Sequence, residues 1–163
     1  MRTSSIVSPS PAPTLQLKNC ATLVPRRRYM VNIYFISTDN GAGVSVPTLK
    51  RLELTGAGWI ETPLVEGIER LQFEYGIDSA PAIRDGAPDA YSSDPATAAL
   101  WQDVVTVRFF ILARNIEESP GYKDTKTYQL GANAVAAAND GYRRHVYSGL
   151  VRIANIAGRR DKP

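Results

Sequence analysis

The chain has 163 residues, enough for one domain and too few for two comfortable ones, and its 44% apolar and 21% charged composition is that of a globular chain rather than a disordered one. The net charge of +3 is mild, and the basic runs Arg26-Arg27-Arg28, Arg143-Arg144 and Arg159-Arg160 are short, as solvated strand flanks are, so nucleic acid is not an expected partner. The single cysteine, Cys20, cannot close an internal disulfide and has no Cys or His at metal spacing; the longest apolar stretch, Val104 to Ala113, is about half of the roughly 20 residues a membrane span needs, and Arg108 interrupts it.

Residues 1–27 read as a flexible lead-in. Met1 to Thr14 is rich in Ser and Pro and lacks the apolar core of a secretory signal, and the prolines between Ser8 and Pro13 disfavour helix. From Arg28 the pattern changes. Tyr29 to Ile36 is aromatic and β-branched on both faces, which predicts a buried central strand. Asp39 to Gly43 supplies turn chemistry, and Leu49 to Thr55 alternates Leu52 and Leu54 against Arg51 and Glu53, so residues 29–55 read as a hairpin. Leu64, Ile68 and Leu71 have helix-like spacing, whereas Leu71, Phe73, Tyr75 and Ile77 alternate with Gln72 and Glu74. A short turn feeding a half-buried strand is expected there, with Gly67 as a bend or bulge.

Residues 78–100 read as a long polar loop, functional or mobile. Trp101 to Arg114 is the strongest strand signal: Val105, Val107, Phe109, Ile111 and Ala113 face one way, and Val104, Thr106, Phe110 and Leu112 the other, with Arg108 and Arg114 among them. Lys126 to Leu130 is a short strand closed by Gly131. Ala132 to Asn139 reads as a loop or one or two helical turns, and Tyr142 to Ile156 as a strand, with a helical face as the alternative. The division is thus a lead-in over 1–27, a head over 28–157 and a polar tail over 158–163.

Catalytic constellations are missing from the pattern. His145 is the lone histidine; it has no Gly-x-Ser-x-Gly elbow to serve and reads as a strand-surface residue. Asp78, Asp85 and Asp89 surround Gly86, as calcium loops do, but they lack the D-x-D-x-D-G core and a closing Glu, so an acidic turn is the simpler reading. Nothing else converges on the carboxylate pairs Glu66 and Glu69 or Glu117 and Glu118. There is no P-loop, no G-x-G-x-x-G and no Cys/His metal set. The expectation is a non-enzyme with no catalytic, cofactor-binding or metal-binding residues, no cofactor and no small-molecule substrate.

Five stretches carry a resemblance. They are Val46 to Leu54 (VPTLKRLEL), Pro63 to Asp78 (PLVEGIERLQFEYGID), Trp101 to Arg114 (WQDVVTVRFFILAR), Pro120 to Gly131 (PGYKDTKTYQLG) and Asn139 to Ser148 (NDGYRRHVYS). Their order and spacing resemble PilW-type minor pilins from about Arg28 to Arg160. The block at 63–78 is the most specific, and it is similar also to type II secretion pseudopilins of the J class. The segments at 120–131 and 139–148 favour the first family. The resemblance implies a pilin-like α+β head, mostly antiparallel β, without the long apolar N-terminal helix that anchors such proteins in the inner membrane before they enter the pilus. It implies contacts with other minor pilins and pilus assembly proteins, and no chemistry of its own. It also implies that Met1 is an internal or misassigned start, or a truncation. The expected contact surface is a sheet edge together with the 78–100 loop. The rival readings are a type II secretion pseudopilin and a ligand-binding or adhesin β domain with Trp59, Tyr91 and Trp101 as its aromatic patch.

Overall fold

A computed structural model describes residues 16–24, 29–79 and 84–154. The Ser/Pro segment at 8–13, the Arg26-Arg27-Arg28 and Arg159-Arg160 runs and the tail at 158–163 lie outside the described residues. In chain order the elements are β1 (Asn32–Ser37), β2 (Thr48–Thr55), β3 (Gly58–Glu66), β4 (Ile68–Ile77), β5 (Ala90–Ser92), α1 (Ala98–Gln102), β6 (Val104–Arg114), β7 (Tyr128–Leu130), β8 (Asn133–Val135) and β9 (Arg144–Arg152). They form a three-stranded sheet in the order β1-β2-β3, a four-stranded sheet in the order β5-β4-β6-β9 and a β7-β8 hairpin. All the strand pairings are antiparallel. The named helix, α1, is short and is capped by the Thr97 side chain accepting from the Leu100 N–H.

The two larger sheets meet at Gly67. β3 and β4 are consecutive strands separated by that one residue, which adopts φ +80°. Its N–H donates to the Pro47 carbonyl beside the first sheet, and its carbonyl accepts from the Arg114 N–H at the end of β6. A positive φ is open to glycine at little steric cost. The helix-like spacing of Leu64, Ile68 and Leu71 is therefore a by-product of two strands broken at a glycine, and the expected turn is the end of β3. Elsewhere in the first sheet Lys50 is buried and donates to Asp39 (3.0 Å) and Glu61 (2.9 Å), pinning the turn after β1 to β3. Those two hydrogen bonds, Glu61 first, raise the Lys50 pKa, and the bond from Lys50 lowers that of Asp39.

The buried apolar residues are Val46, Ile68, Ile77, Val104, Val105, Leu112 and Leu130, each contributing about 1.5–3 kcal/mol if a full aliphatic side chain is buried. Val46, Ile68 and Leu112 lie near the joint between the sheets and Leu130 in the β7-β8 hairpin, while Ile77, Val104 and Val105 lie at the far end of β4 and β6, beside β5 and α1.

Several expectations need correction. β1 is paired with β2 as predicted, but it is an edge strand, not a buried central one: Ile33 and Tyr34 are exposed. Apolar residues on both faces are compatible with either position, and only the neighbouring strands decide. The 78–100 loop contains β5 and α1. Trp101 does not start a strand; it lies in α1 and is exposed. Residues 133–135 are a strand rather than loop or helix. Within the 142–156 segment Arg144–Arg152 is a strand, as the β-branched and aromatic composition predicts.

A Cβ on Gly67 would come within 2.5 Å of the Arg114 carbonyl oxygen. Gly67→Ala adds that clash to a left-handed backbone costing roughly 1–2 kcal/mol, so urea unfolding is expected to show a loss of about 2 kcal/mol or more.

Candidate interaction surface

Cross-strand register defines the surface. Leu71, Ile111 and Tyr147 form one row across β4, β6 and β9; Phe73, Phe109 and Gly149 form the next; Tyr75, Val107 and Val151 form the third. Directly paired residues share a sheet face, so these positions make one apolar face. Much of it is open: Phe73 is 38% exposed, Tyr147 56% and Val151 54%, and Val107, Phe109 and Ile111 on the middle strand are half-buried. The Trp101 ring closes one end, edge-on to Tyr75 with centroids 4.6 Å apart. In the middle row the Phe109 ring occupies the space a Cβ on Gly149 would need.

The opposite face carries Glu74, Arg108, Phe110 and Leu112 and is covered on its β4 side: Glu74 and Leu112 are buried, while Arg108 and its partner Leu150 on β9 stay exposed. The β7-β8 hairpin lies over it: Leu130 is buried, and the Ala132 N–H donates to Glu74 Oε1 at 2.7 Å. Arg108 stacks on the Tyr91 ring at 3.3 Å. The alternation read in 71–77 is real, but its polarity is reversed: the face with Glu74 is inside, and the face with Phe73 is outside. A cleft of about 560 Å³ remains between the sheets, walled by Ile36, Pro47, Leu112 and Val135 and floored by Glu69, Arg114 and Arg144.

β9 is anchored by its first residue. The Arg144 side chain is 5% exposed. It forks onto Glu69 through Nε (2.6 Å) and Nη2 (2.9 Å), and onto Asp140 through Nη1 (2.6 Å) and Nη2 (2.7 Å). Nη1 also reaches Asp124 Oδ2 at 3.0 Å. Asp124 is fully buried and accepts from the Tyr128 hydroxyl at 3.0 Å and the Tyr122 hydroxyl at 3.3 Å. Its backbone bonds Asn139 and Asp140 at 2.8 Å each. The guanidinium thus joins β4, β9 and both arms of the 115–143 segment. The hydrogen bonds that Arg144 donates to Asp140, Glu69 and Asp124 raise its pKa further above its already high value. The Arg144 bonds pull Asp140 from 3.8 to about 2. Burial works against the Asp124 charge, yet Arg144, Tyr128, the Lys126 N–H and Tyr122 together hold its pKa below the usual value. Burial, then the Asp124 carboxylate, push Tyr128 up to about 12.

The residues singled out from sequence are scattered. His145 is exposed on β9, its ring edge-on to Tyr147 at 4.5 Å. Asp78 accepts from the Gly86 N–H (3.0 Å), Asp85 from Ala87 (2.9 Å) and Asp89 from Ser79 (3.0 Å), which is turn chemistry. Among the described residues no three His, Cys, Asp or Glu side chains come together as a metal site. Glu69 belongs to the Arg144 network, while Glu66 accepts from Asn40 at 2.8 Å. Glu117 and Glu118 are exposed after β6. Trp59 lies on β3 in the other sheet, Tyr91 under Arg108 and Trp101 against Tyr75, so these three do not form one aromatic patch. Sequence reading did not identify the Arg144 network; its one advance signal was the NDGYRR segment, quoted for resemblance rather than for its charges.

The sequence model of the type IV pilus-assembly protein W family matches residues 33–155. The chain belongs to this family. The matched span runs from β1 through the end of β9, so the open face and its anchor lie inside the family domain. Membership supports a role in type IV pilus assembly at the cell envelope. Searches of curated proteins and of solved structures each found no match. No helix among the described residues is long and apolar enough to cross a membrane.

Arg144→Met leaves the buried Asp124 without its cation, and a loss of about 3–5 kcal/mol is expected in chemical unfolding; Arg144→Lys should recover part of it, because an ammonium cannot fork onto two carboxylates. The depressed Asp140 pKa also fixes a pH window. Its stabilising effect is present above the unfolded value of 3.8 and is lost as pH falls through about 2. Unfolding midpoints measured from pH 5 to pH 2 should fall over that range, and the Asp140 contribution to the fall should vanish in Arg144→Met.

Proposed function

We propose that this chain is the head of a PilW-like minor pilin and acts in pilus biogenesis through protein–protein contacts, without chemistry of its own. The observation that carries the reading is the open apolar face of β4, β6 and β9. A contiguous exposed apolar patch on a stable domain marks a surface meant to be covered. Adjacent strands are about 4.8 Å apart, so three of them span about 10 Å, the width of one α-helix with its side chains. The flat shape, with Gly149 admitting Phe109, suits a helix laid across the sheet. The apolar N-terminal helix that the resemblance implies is the matching occupant. Such a helix would anchor the head in the inner membrane before assembly and in the pilus afterwards.

Other minor pilins and pilus assembly proteins are the proposed partners, meeting the head at its remaining surface. The described part of the 78–100 region, from Arg84 on, contributes as a ledge, since β5, the Arg84–Asp103 ion pair (2.9 Å) and Trp101 tie it to the sheet. The family match favours this reading over a type II secretion pseudopilin.

The test is the double substitution Tyr147→Lys with Val151→Lys in the pilus-producing cell. Both side chains are exposed, so the isolated domain should keep its stability within about 1 kcal/mol, while surface pili, counted by electron microscopy, should fall sharply. Normal piliation with the doubly charged face would overturn the reading.

A further inference from the structure

β9 has a second unused feature, its outer edge. It pairs with β6 over nine positions without a register shift, and among the described residues no strand lies on its other side. The other edges are blunted or short. β3 carries Pro63, and the strand beside it shifts register at Leu49/Lys50; β1 has six residues and β5 three. β9 has no proline, and Val146 to Val151 carries no charge. A long flat edge of that kind is a template for another strand.

Two flanking hydrogen bonds fix which groups are free. Asn115 N–H donates to the Arg143 carbonyl (2.9 Å), and Ile153 N–H to the Val105 carbonyl (2.8 Å). In an antiparallel ladder bonded and non-bonded pairs alternate. The odd-numbered residues of β9 therefore bond to β6, and Val146, Ser148 and Leu150 turn both N–H and C=O outward. A strand added there would also widen the apolar face by one strand, beside Tyr147 and Val151.

We infer that this edge receives an extended segment of a different pilus subunit, apolar in its centre and acidic where it meets the ends of β9. The exposed charges at the ends of β9 are basic, Arg143 just before one end and Arg152 at the other. Two copies of this chain paired antiparallel about Ser148 would bring the exposed Arg143 end of each against the Arg152 end of the other, which disfavours self-pairing. The net charge of +3 works in the same direction. The inference rests on the reading of this chain as a pilus subunit that acts by contact.

The experiment is residue-resolved amide exchange by NMR on this chain, alone and mixed in turn with the recombinant heads of the other minor pilins of its pilus. With one of them the Val146, Ser148 and Leu150 amides should slow by about tenfold or more. Ser148→Pro removes an outward donor and no bond to β6, a tolerated place for proline; it should weaken that complex by about tenfold with an unchanged thermal transition. A complex that forms without slowing these amides overturns the edge inference and leaves the proposed function standing. No complex with any head overturns both. Slowing in the chain alone that grows with concentration would make the occupant a second copy and overturn the choice of partner.

Discussion

One guanidinium holds the working half of the molecule together. Arg144 begins β9, spans under β6 to Glu69 on β4, and gathers Asp124 and Asp140 from the long segment between β6 and β9. Two forks plus one further bond satisfy nearly all its donors, which only an arginine can do at a single point. The network is rich in carboxylates and buried, so its members depend on one another: without the cation the acids repel, and without the acids a charge is stranded in the interior. β9 is an edge strand with a neighbour on one side, and the segment leading to it is almost thirty residues long with only the β7-β8 hairpin as regular structure. Hydrophobic burial is scarce there. A dense polar anchor does what a core would otherwise do.

The anchor matters because of what the two faces of the four-stranded sheet carry. On the face bearing Glu74 and Arg108 the hairpin covers Glu74, which accepts from the Ala132 N–H, and the Tyr91 ring of β5 meets Arg108. The face bearing Phe73, Phe109 and Tyr147 is open. An isolated domain left to maximise its own burial would arrange the faces the other way round. The observed arrangement makes sense for a head whose apolar side is completed by a separate element, and it explains why polar residues had to be individually satisfied under the hairpin: a buried acceptor without a donor costs about 1–3 kcal/mol.

How legible this was from sequence differs by element. The β-rich character, the hairpin of β1 and β2, the long β6 and the strand at β9 follow from composition and alternation, which are local properties. Gly67 reads as a bend from sequence, but the helix-like spacing around it misleads, because Leu64 belongs to one strand and Ile68 to the next. The error at β4 has a different origin. Alternation tells which residues share a face, but not which face a distant hairpin will cover; Glu74 is buried by residues 130–132, nearly sixty positions away. The same distance hides the Arg144 network, since Glu69, Asp124, Asp140 and Arg144 look like unrelated surface charges until β4 and β9 flank β6. Trp101 was placed in a strand because aromatic residues favour strands, whereas the Thr97 cap starts a helical turn that reaches as far as Gln102.

Face and edge are best understood together. Both are properties of β9 and its neighbours, and they present different groups: side chains of odd-numbered residues on the open face, backbone donors and acceptors of even-numbered residues along the rim. A helix on the face needs apolar area and little directionality; a strand on the edge needs register and supplies orientation. A subunit that uses both can be held firmly by the first and aligned by the second. The uncharged run from Val146 to Val151 serves both uses, and the arginines at its two ends limit where an added strand can start and stop. The fixed strand position that such alignment requires comes from Arg144, so the buried charge network and the two exposed surfaces are parts of one arrangement.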